Sequence, residues 1–195
     1  VICPAEAAPQ MRRWLEQIAE LQGVEGALET AQSLATVEGL EPGTRTQLGS
    51  RVLEAYRGFH RVPCRAYRVS EVRHSLVESA KPLTKTPEGR ALLATRRRAG
   101  ERLETKLLKP LLAYATDTTH KVFERAPELL EAETLICECT YLDDQVSPEH
   151  ALRTTHTHLR ALEPMLSHAQ SKQIVLMHIS QRYMPQRARQ LCEAL

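Results

Sequence analysis

Gln173-Ile174-Val175-Leu176-Met177-His178-Ile179-Ser180-Gln181-Arg182-Tyr183 opens as an apolar run of strand length and breaks off at a histidine. Residues 173–177 read as a buried-type strand, flanked by helical patterns over residues 148–169 and 185–195, each with a proline at its start. The same alternation continues upstream. Residues 111–115 and 135–139 are short apolar runs bounded by polar turns, with a segment of helical character between them. Residues 87–99 form a further predicted helix with Pro87 at its first turn.

The N-terminal part follows the same logic. Met11, Trp14, Leu15, Ile18 and Leu21 recur at helical spacing, which predicts an amphipathic helix over residues 6–21 ended by Gly23. Gly and Pro punctuation from residue 39, followed by the alternating residues 48–56, predicts strands joined by tight turns. Residues 60–69 alternate again and place His60, Val62, Cys64 and Ala66 on one face of an extended segment. Strands alternating with helices give an α/β, or layered α+β, class in a single domain over residues 1–195. The opening Val1-Ile2-Cys3-Pro4 reads as the end of a strand, so the chain is expected to be incomplete at its start.

Composition narrows the function classes. Hydrophobic residues are 42% and charged residues 26% of the chain, with a net charge of +2, as in an ordinary globular protein. No apolar run approaches the roughly 20 residues of a membrane helix, and no signal-peptide pattern opens the chain. Cys3, Cys64, Cys137, Cys139 and Cys192 contain no C-x-x-C pair, so a reducing cytoplasm is expected rather than a disulfide framework. Residues 81–109 carry nine basic residues against three acidic ones, a stretch suited to phosphates. Residues 124–149 reverse this, with eight acids against Arg125. A solvated charged face is the commoner meaning of such runs.

Three predicted strands deliver a metal-competent side chain at or beside an end. His60 opens one, Asp117 follows residues 111–115, and His178 follows residues 173–177. A lone histidine at a strand end is usually structural, but imidazole and carboxylate together suit a zinc-like ion. Thr155-His156-Thr157-His158 resembles the opening of a His-x-His-x-Asp-His zinc motif, except that Arg160 stands where the Asp belongs. What is left is a histidine pair near a helix start, one of which would serve as a general acid. Cys137 and Cys139 alternate along a strand, as a pair of small buried hydrophobes does.

These residues together resemble the ribonuclease Z family of metallo-β-lactamase-fold hydrolases. Leu176 to Tyr183 resembles the family's Thr-His-Phe/Ile-Ser-x-Arg-Tyr signature, and His60-Arg61-Val62-Pro63-Cys64-Arg65-Ala66-Tyr67-Arg68 its His-x-Val/Ile-Pro-Ser/Cys-Phe-Gly-Tyr-Arg strand. Ala115-Thr116-Asp117-Thr118 is similar to its Gly-Asp-Thr turn, Glu138-Cys139-Thr140-Tyr141 to its Glu-x-Thr-Phe/Tyr strand, and His156-Thr157-His158-Leu159 to its His-Thr-His-Leu segment. Thr116 and Arg65-Ala66 depart from the family pattern.

The resemblance implies an αββα metallo-β-lactamase sandwich, of which these residues are the C-terminal two-thirds, because the His-x-His-x-Asp-His segment does not occur in them. It implies that His60 and His178 each bind one of two zinc ions, or manganese in their place, that Asp117 bridges, and that His156 assists the leaving group. Basic residues of the 81–109 stretch, foremost Arg96, Arg97, Arg98 and Lys106, would hold RNA. The implied activity is endonucleolytic trimming of precursor transfer RNA at its 3′ side by a cytoplasmic homodimer, with the 195-residue chain inactive alone. Two rival readings are a hydrolase of small esters, thioesters or cyclic phosphodiesters, and a metal-free subunit kept for dimerisation or RNA binding.

Overall fold

The computed structural model describes residues 1–21 and 36–193. β1 (Ile2–Pro4) leads through a 3-10 turn into α1 (Ala8–Leu21), and β2 (Glu38–Leu40) returns beside β1 in parallel. Gly23, the expected end of the helix, lies outside the described residues. β3 (Arg45–Leu48), β4 (Arg51–Arg57) and β5 (Arg65–Leu76) follow as an antiparallel meander. α2 (Pro87–Arg98) then precedes β6 (Glu104–Ala115), which turns back along β5. α3 (Lys121–Arg125) leads to β7 (Thr134–Glu138). α4 (Pro148–Arg153) and α5 (Leu159–Leu166) lead to β8 (Gln173–Met177), and α6 (Pro185–Glu193) is the last described helix.

β3 to β8 form one six-stranded sheet in sequence order. β6, β7 and β8 run parallel, joined through helical crossovers, whereas β5 runs antiparallel to β6. One face of this sheet carries the main core. Ala66, Ala113, Ala115, Leu135 and Cys137 pack there against Val122, Phe123, Leu129, Leu159 and Leu162 from the crossovers. Burial of that apolar area is the dominant favourable term in folding. A buried ion pair stands among them: Arg68 Nε donates to Glu54 Oε2 at 2.8 Å and Arg68 Nη1 to the Glu128 carbonyl at 3.0 Å, tying the sheet to the turn below it.

The other face is covered over β4 and β5 by the β1–β2 pair, where Leu40 and Ile2 pack on Leu53, Ala55, Tyr67 and Val69. The expected two mixed sheets packed face to face are therefore realised unequally, as six strands opposite two. The cross-strand row Tyr67, Tyr114, Ile136 and Val175 continues this face over four strands. Its members are half-buried or exposed.

Several elements differ from the sequence reading. Residues 60–69 do not form one strand: β5 starts only at Arg65, and residues 58–64 are a loop closed by Gly58 N–H donating to the Cys64 carbonyl at 3.2 Å. A Cβ on Gly58 would meet Cys64 Sγ at 2.2 Å, so the closure needs glycine. Residues 148–169 are not one helix but two, because Thr155 takes a left-handed φ of 65° and breaks the turn pattern. β5 and β6 are also longer than expected, since each pairs with the other out to Leu76 and Glu104. A register shift at Val69/Ser70 absorbs Pro110, which has no N–H to give the ladder.

Candidate metal centre

The topology explains why distant residues meet. β6, β7 and β8 are parallel, so all three end at the same edge of the sheet, and antiparallel β5 begins there. Asp117 lies two residues past β6, Glu138 is the last residue of β7, and His178 directly follows β8. His60 sits in the loop that enters β5. Ligand sites outside the carboxyl ends of parallel strands are a general property of such sheets.

His60 Nε2 is 3.3 Å and His178 Nε2 3.6 Å from the same oxygen, Asp117 Oδ1. Ligand atoms of Asp117, Glu138, His156 and His178 all lie within 4.8 Å of one another. The rings of His156 and His178 stack at 5.2 Å, and His60 approaches His156 at 5.7 Å. The three residues predicted as ligands are thus brought together with the histidine predicted as an acid.

Among the described residues, the non-glycine residues with positive φ are Asp117 (53°), Thr155 (65°) and His178 (59°). Each belongs to this cluster or adjoins it. Left-handed backbone at a non-glycine residue costs on the order of 1 kcal/mol or more, and it persists where surrounding structure enforces it, commonly at functional sites.

Glu138, to which the sequence reading assigns no role beyond its place in the Glu-x-Thr-Tyr strand, organises the site. Its carboxylate is buried and accepts four hydrogen bonds. Thr118 N–H donates to Oε2 at 2.6 Å, and Thr140 Oγ1, His156 Nδ1 and Thr157 N–H donate to Oε1 at 2.8, 2.8 and 3.0 Å. Three of these four donors converge on Oε1, which ties Glu138 to the orientation of His156. The signal available in the sequence was a single acid in the otherwise apolar run of residues 135–139. His158 proves different from its neighbour: it is buried, its Nδ1 caps α5 by accepting from Arg160 N–H at 3.0 Å, and Nε2 donates to the Val146 carbonyl at 2.9 Å. His158 is a structural residue.

The donor set fits a divalent ion. Zinc-bound nitrogen and oxygen ligands at tetrahedral angles stand about 3.4 Å apart, close to the two imidazole–carboxylate distances here. His60 Nδ1 is buried without a hydrogen-bond partner, and Thr140 Oγ1 lies 3.1 Å from His178 Nδ1, which leaves Nε2 of His178 facing Asp117. An outer partner on the second ring nitrogen, which His178 has and His60 lacks among the described residues, is how ligand histidines are held.

The basic residues lie elsewhere. Lys106 pairs with His74 nine residues up β6 from Ala115, which at strand spacing is about 30 Å from the histidine cluster. Arg96 is paired with Glu101 and Arg97 with Glu104, whereas Arg98 and Lys106 are exposed.

No family model matches the chain. Two curated relatives do, both from Arabidopsis thaliana. The tRNase Z TRZ2, chloroplastic, is 27% identical over 178 residues, covering 90% of this chain and 48% of that protein. The tRNase Z TRZ1 is 26% identical over 171 residues, covering 86% of this chain and 59% of that protein. The fold agrees with the metallo-β-lactamase fold protein YhfI from Bacillus subtilis, at a TM-score of 0.50 and 14% identity over 87% of this chain and 56% of that one. The chain is similar in sequence to these two tRNase Z proteins and shares the metallo-β-lactamase fold. It spans about half the length of the curated tRNase Z relatives it matches. No helix among the described residues is long and apolar enough to cross a membrane.

Proposed function

We propose that the protein is a zinc-dependent endoribonuclease that cleaves precursor transfer RNA on its 3′ side. The observation that carries this reading is the convergence of His60, Asp117 and His178 beside a histidine held by a buried carboxylate. His60, Asp117 and His178 would hold the metal, which supplies Lewis acidity toward a phosphoryl oxygen and acidifies water at neutral pH. Glu138 accepts the Nδ1 proton of His156 at 2.8 Å, so Nε2 of that ring is the atom free to carry and deliver a proton. His156 then protonates the departing oxygen, and Glu138 fixes the ring and stabilises its charged form, the arrangement of a hydrolase dyad.

Scale supports RNA as the substrate class. A basic tip about 30 Å from the proposed catalytic histidine serves a long polyanion and has nothing to offer a small ester. Among the described residues Arg98, Arg102 and Lys106 are exposed there and in no ion pair, and Arg96 and Arg97 become available by exchanging Glu101 and Glu104 for phosphate. The five free cysteines suit the reducing cytoplasm, and we infer a homodimer as the working form.

The decisive experiment supplies the full-length protein, with zinc or manganese, with precursor transfer RNA, a bis-aryl phosphate and a lactone. Preferential cleavage of the RNA at the 3′ side supports the proposal. Preference for the lactone moves the protein to the small-ester class, and absence of stoichiometric metal makes it a binding subunit.

A further inference from the structure

Among the described residues, four side-chain polar atoms are buried without a hydrogen-bond partner: His60 Nδ1, Ser70 Oγ, Thr119 Oγ1 and Ser171 Oγ. Ser70 lies inside β5 at its register shift, and Ser171 precedes β8 at the end away from His178. The other two lie at the proposed metal centre. A buried polar atom left unpaired is costly, so two of them at one site call for a common explanation.

The backbone brings these two residues together. Phe59 N–H donates to Thr118 Oγ1 at 2.8 Å, and Thr119 N–H donates back to the Phe59 carbonyl at 3.2 Å. His60 Nε2 then stands 3.3 Å from Asp117 Oδ1. The loop that carries His60 is thus strapped along the turn that carries Asp117. His60 follows Phe59 directly, so its imidazole and the Thr119 hydroxyl flank the same backbone hydrogen bond, one from each segment. The adjacent threonines differ in what they do. Thr118 Oγ1 is occupied in holding the loop, whereas Thr119 is equally buried and its hydroxyl has no partner.

The chemistry of a bound ion decides what His60 Nδ1 needs. With Nε2 on a cation, a neutral imidazole carries its proton on Nδ1, which becomes a buried donor in want of an acceptor. At His178 the corresponding atom has Thr140 Oγ1 at 3.1 Å. At His60 the Thr119 hydroxyl offers the same acceptor, with both lone pairs free and a hydrogen that rotates to suit. A single water spans a gap too long for direct contact, since it finds a polar atom at each end.

We propose that Thr119 Oγ1 takes the Nδ1–H of His60, directly or through one buried water, and so fixes that imidazole for the metal. A threonine hydroxyl then stands behind each of the two ligand histidines, Thr140 behind His178 and Thr119 behind His60. The assignment rests on the reading of His60 as a ligand and deepens it. Thr119 is a positioning residue, and its contribution belongs to the metal-loaded protein.

The test uses full-length wild type, Thr119→Val, which keeps the shape and removes the acceptor, Thr119→Ser, which keeps a hydroxyl, and His60→Ala. Zinc affinity is read by chelator competition, and thermal unfolding is followed with and without zinc. His60→Ala and Thr119→Val should each bind zinc at least about tenfold more weakly, with Thr119→Ser within about threefold of wild type. Metal-free Thr119→Val should unfold no lower than metal-free wild type, because the hydroxyl it loses has no partner there. Zinc should therefore raise its midpoint by less. Wild-type affinity in Thr119→Val, with His60→Ala weakened, overturns the proposal and leaves the ligand set standing. An equal loss of stability with and without zinc assigns the hydroxyl to packing and overturns it too. Wild-type affinity in His60→Ala removes His60 from the ligands, and the proposal falls with that reading.

Discussion

Glu138 and His156 are 2.8 Å apart, the carboxylate buried in the sheet edge and the imidazole partly open to solvent. If this pair forms the acid of the reaction, each partner is useless without the other. His156→Ala is expected to lower turnover about 10²- to 10⁴-fold with metal content intact. Glu138→Gln should do the same, and the double variant should be no worse than the poorer single one. Steady-state kinetics with metal analysis checks both. Loss of metal in His156→Ala, with normal turnover per bound metal, contradicts the assignment.

Asp117 shares one oxygen between two imidazoles, so its removal should release more metal than loss of either histidine. Asp117→Ala is expected to weaken metal binding by at least about tenfold, read by chelator competition. A wild-type metal content in Asp117→Ala would remove it from the ligand set.

His158 tests the separation of the two neighbouring histidines. It caps α5 and holds the Val146 carbonyl from a buried position. His158→Ala should cost about 2 kcal/mol of stability, from the lost cap and a buried acceptor left unpaired. The midpoint of urea unfolding measures it, and an unchanged midpoint would return His158 to the functional candidates.

Glu133 gives a pH-dependent prediction. It lies 2.7 Å from both Lys109 and Lys172, whose hydrogen bonds pull its carboxyl down to about 2 from the ordinary 4.5. A depressed folded-state value means that its contribution is full above the unfolded value and fades as pH falls through the folded one. Wild type should therefore exceed Glu133→Gln in thermal stability near neutrality, and the gap should close between about pH 4.5 and pH 2. A gap independent of pH would show that the lysines act through packing alone.

The thiols give a further check. Burial pushes Cys137 up to about 12 and raises Cys139 as well, while Cys3 is buried too. A native sample at pH 8 should react with an aromatic disulfide reagent at no more than two of its five cysteines, Cys64 and Cys192, and slowly there because burial raises both. Fast reaction of a third thiol would show the core strand to be open.

Much of this layout was legible in the residues themselves. β8 coincides with the predicted 173–177 strand, α2 with the predicted helix almost to its last residue, and β7 is displaced by one position. The ligand candidates were legible because strand ends can be read from apolar runs. Three features could not be read locally. The break at Thr155 is a single left-handed residue inside a stretch whose side-chain pattern stays helical. His60 left its strand for a loop because Gly58 and Cys64 close on each other. Glu138 stood only as part of the Glu-x-Thr-Tyr strand, and its role exists because two distant segments, at Thr118 and at His156–Thr157, bring donors to it.

The left-handed turn at Thr155 has an evolutionary corollary. Asp117 and His178 must keep their side chains, so the chain bears their torsional cost permanently. The Thr155 hydroxyl donates to its neighbour's carbonyl at 2.6 Å and its N–H to the Leu152 carbonyl at 3.1 Å, both within the local turn. Glycine there would relax the backbone by about 1 kcal/mol while widening the angular wander of the adjacent imidazole. Retaining threonine trades robustness for marksmanship, and a heat-selected descendant of this lineage would be expected to lose it first.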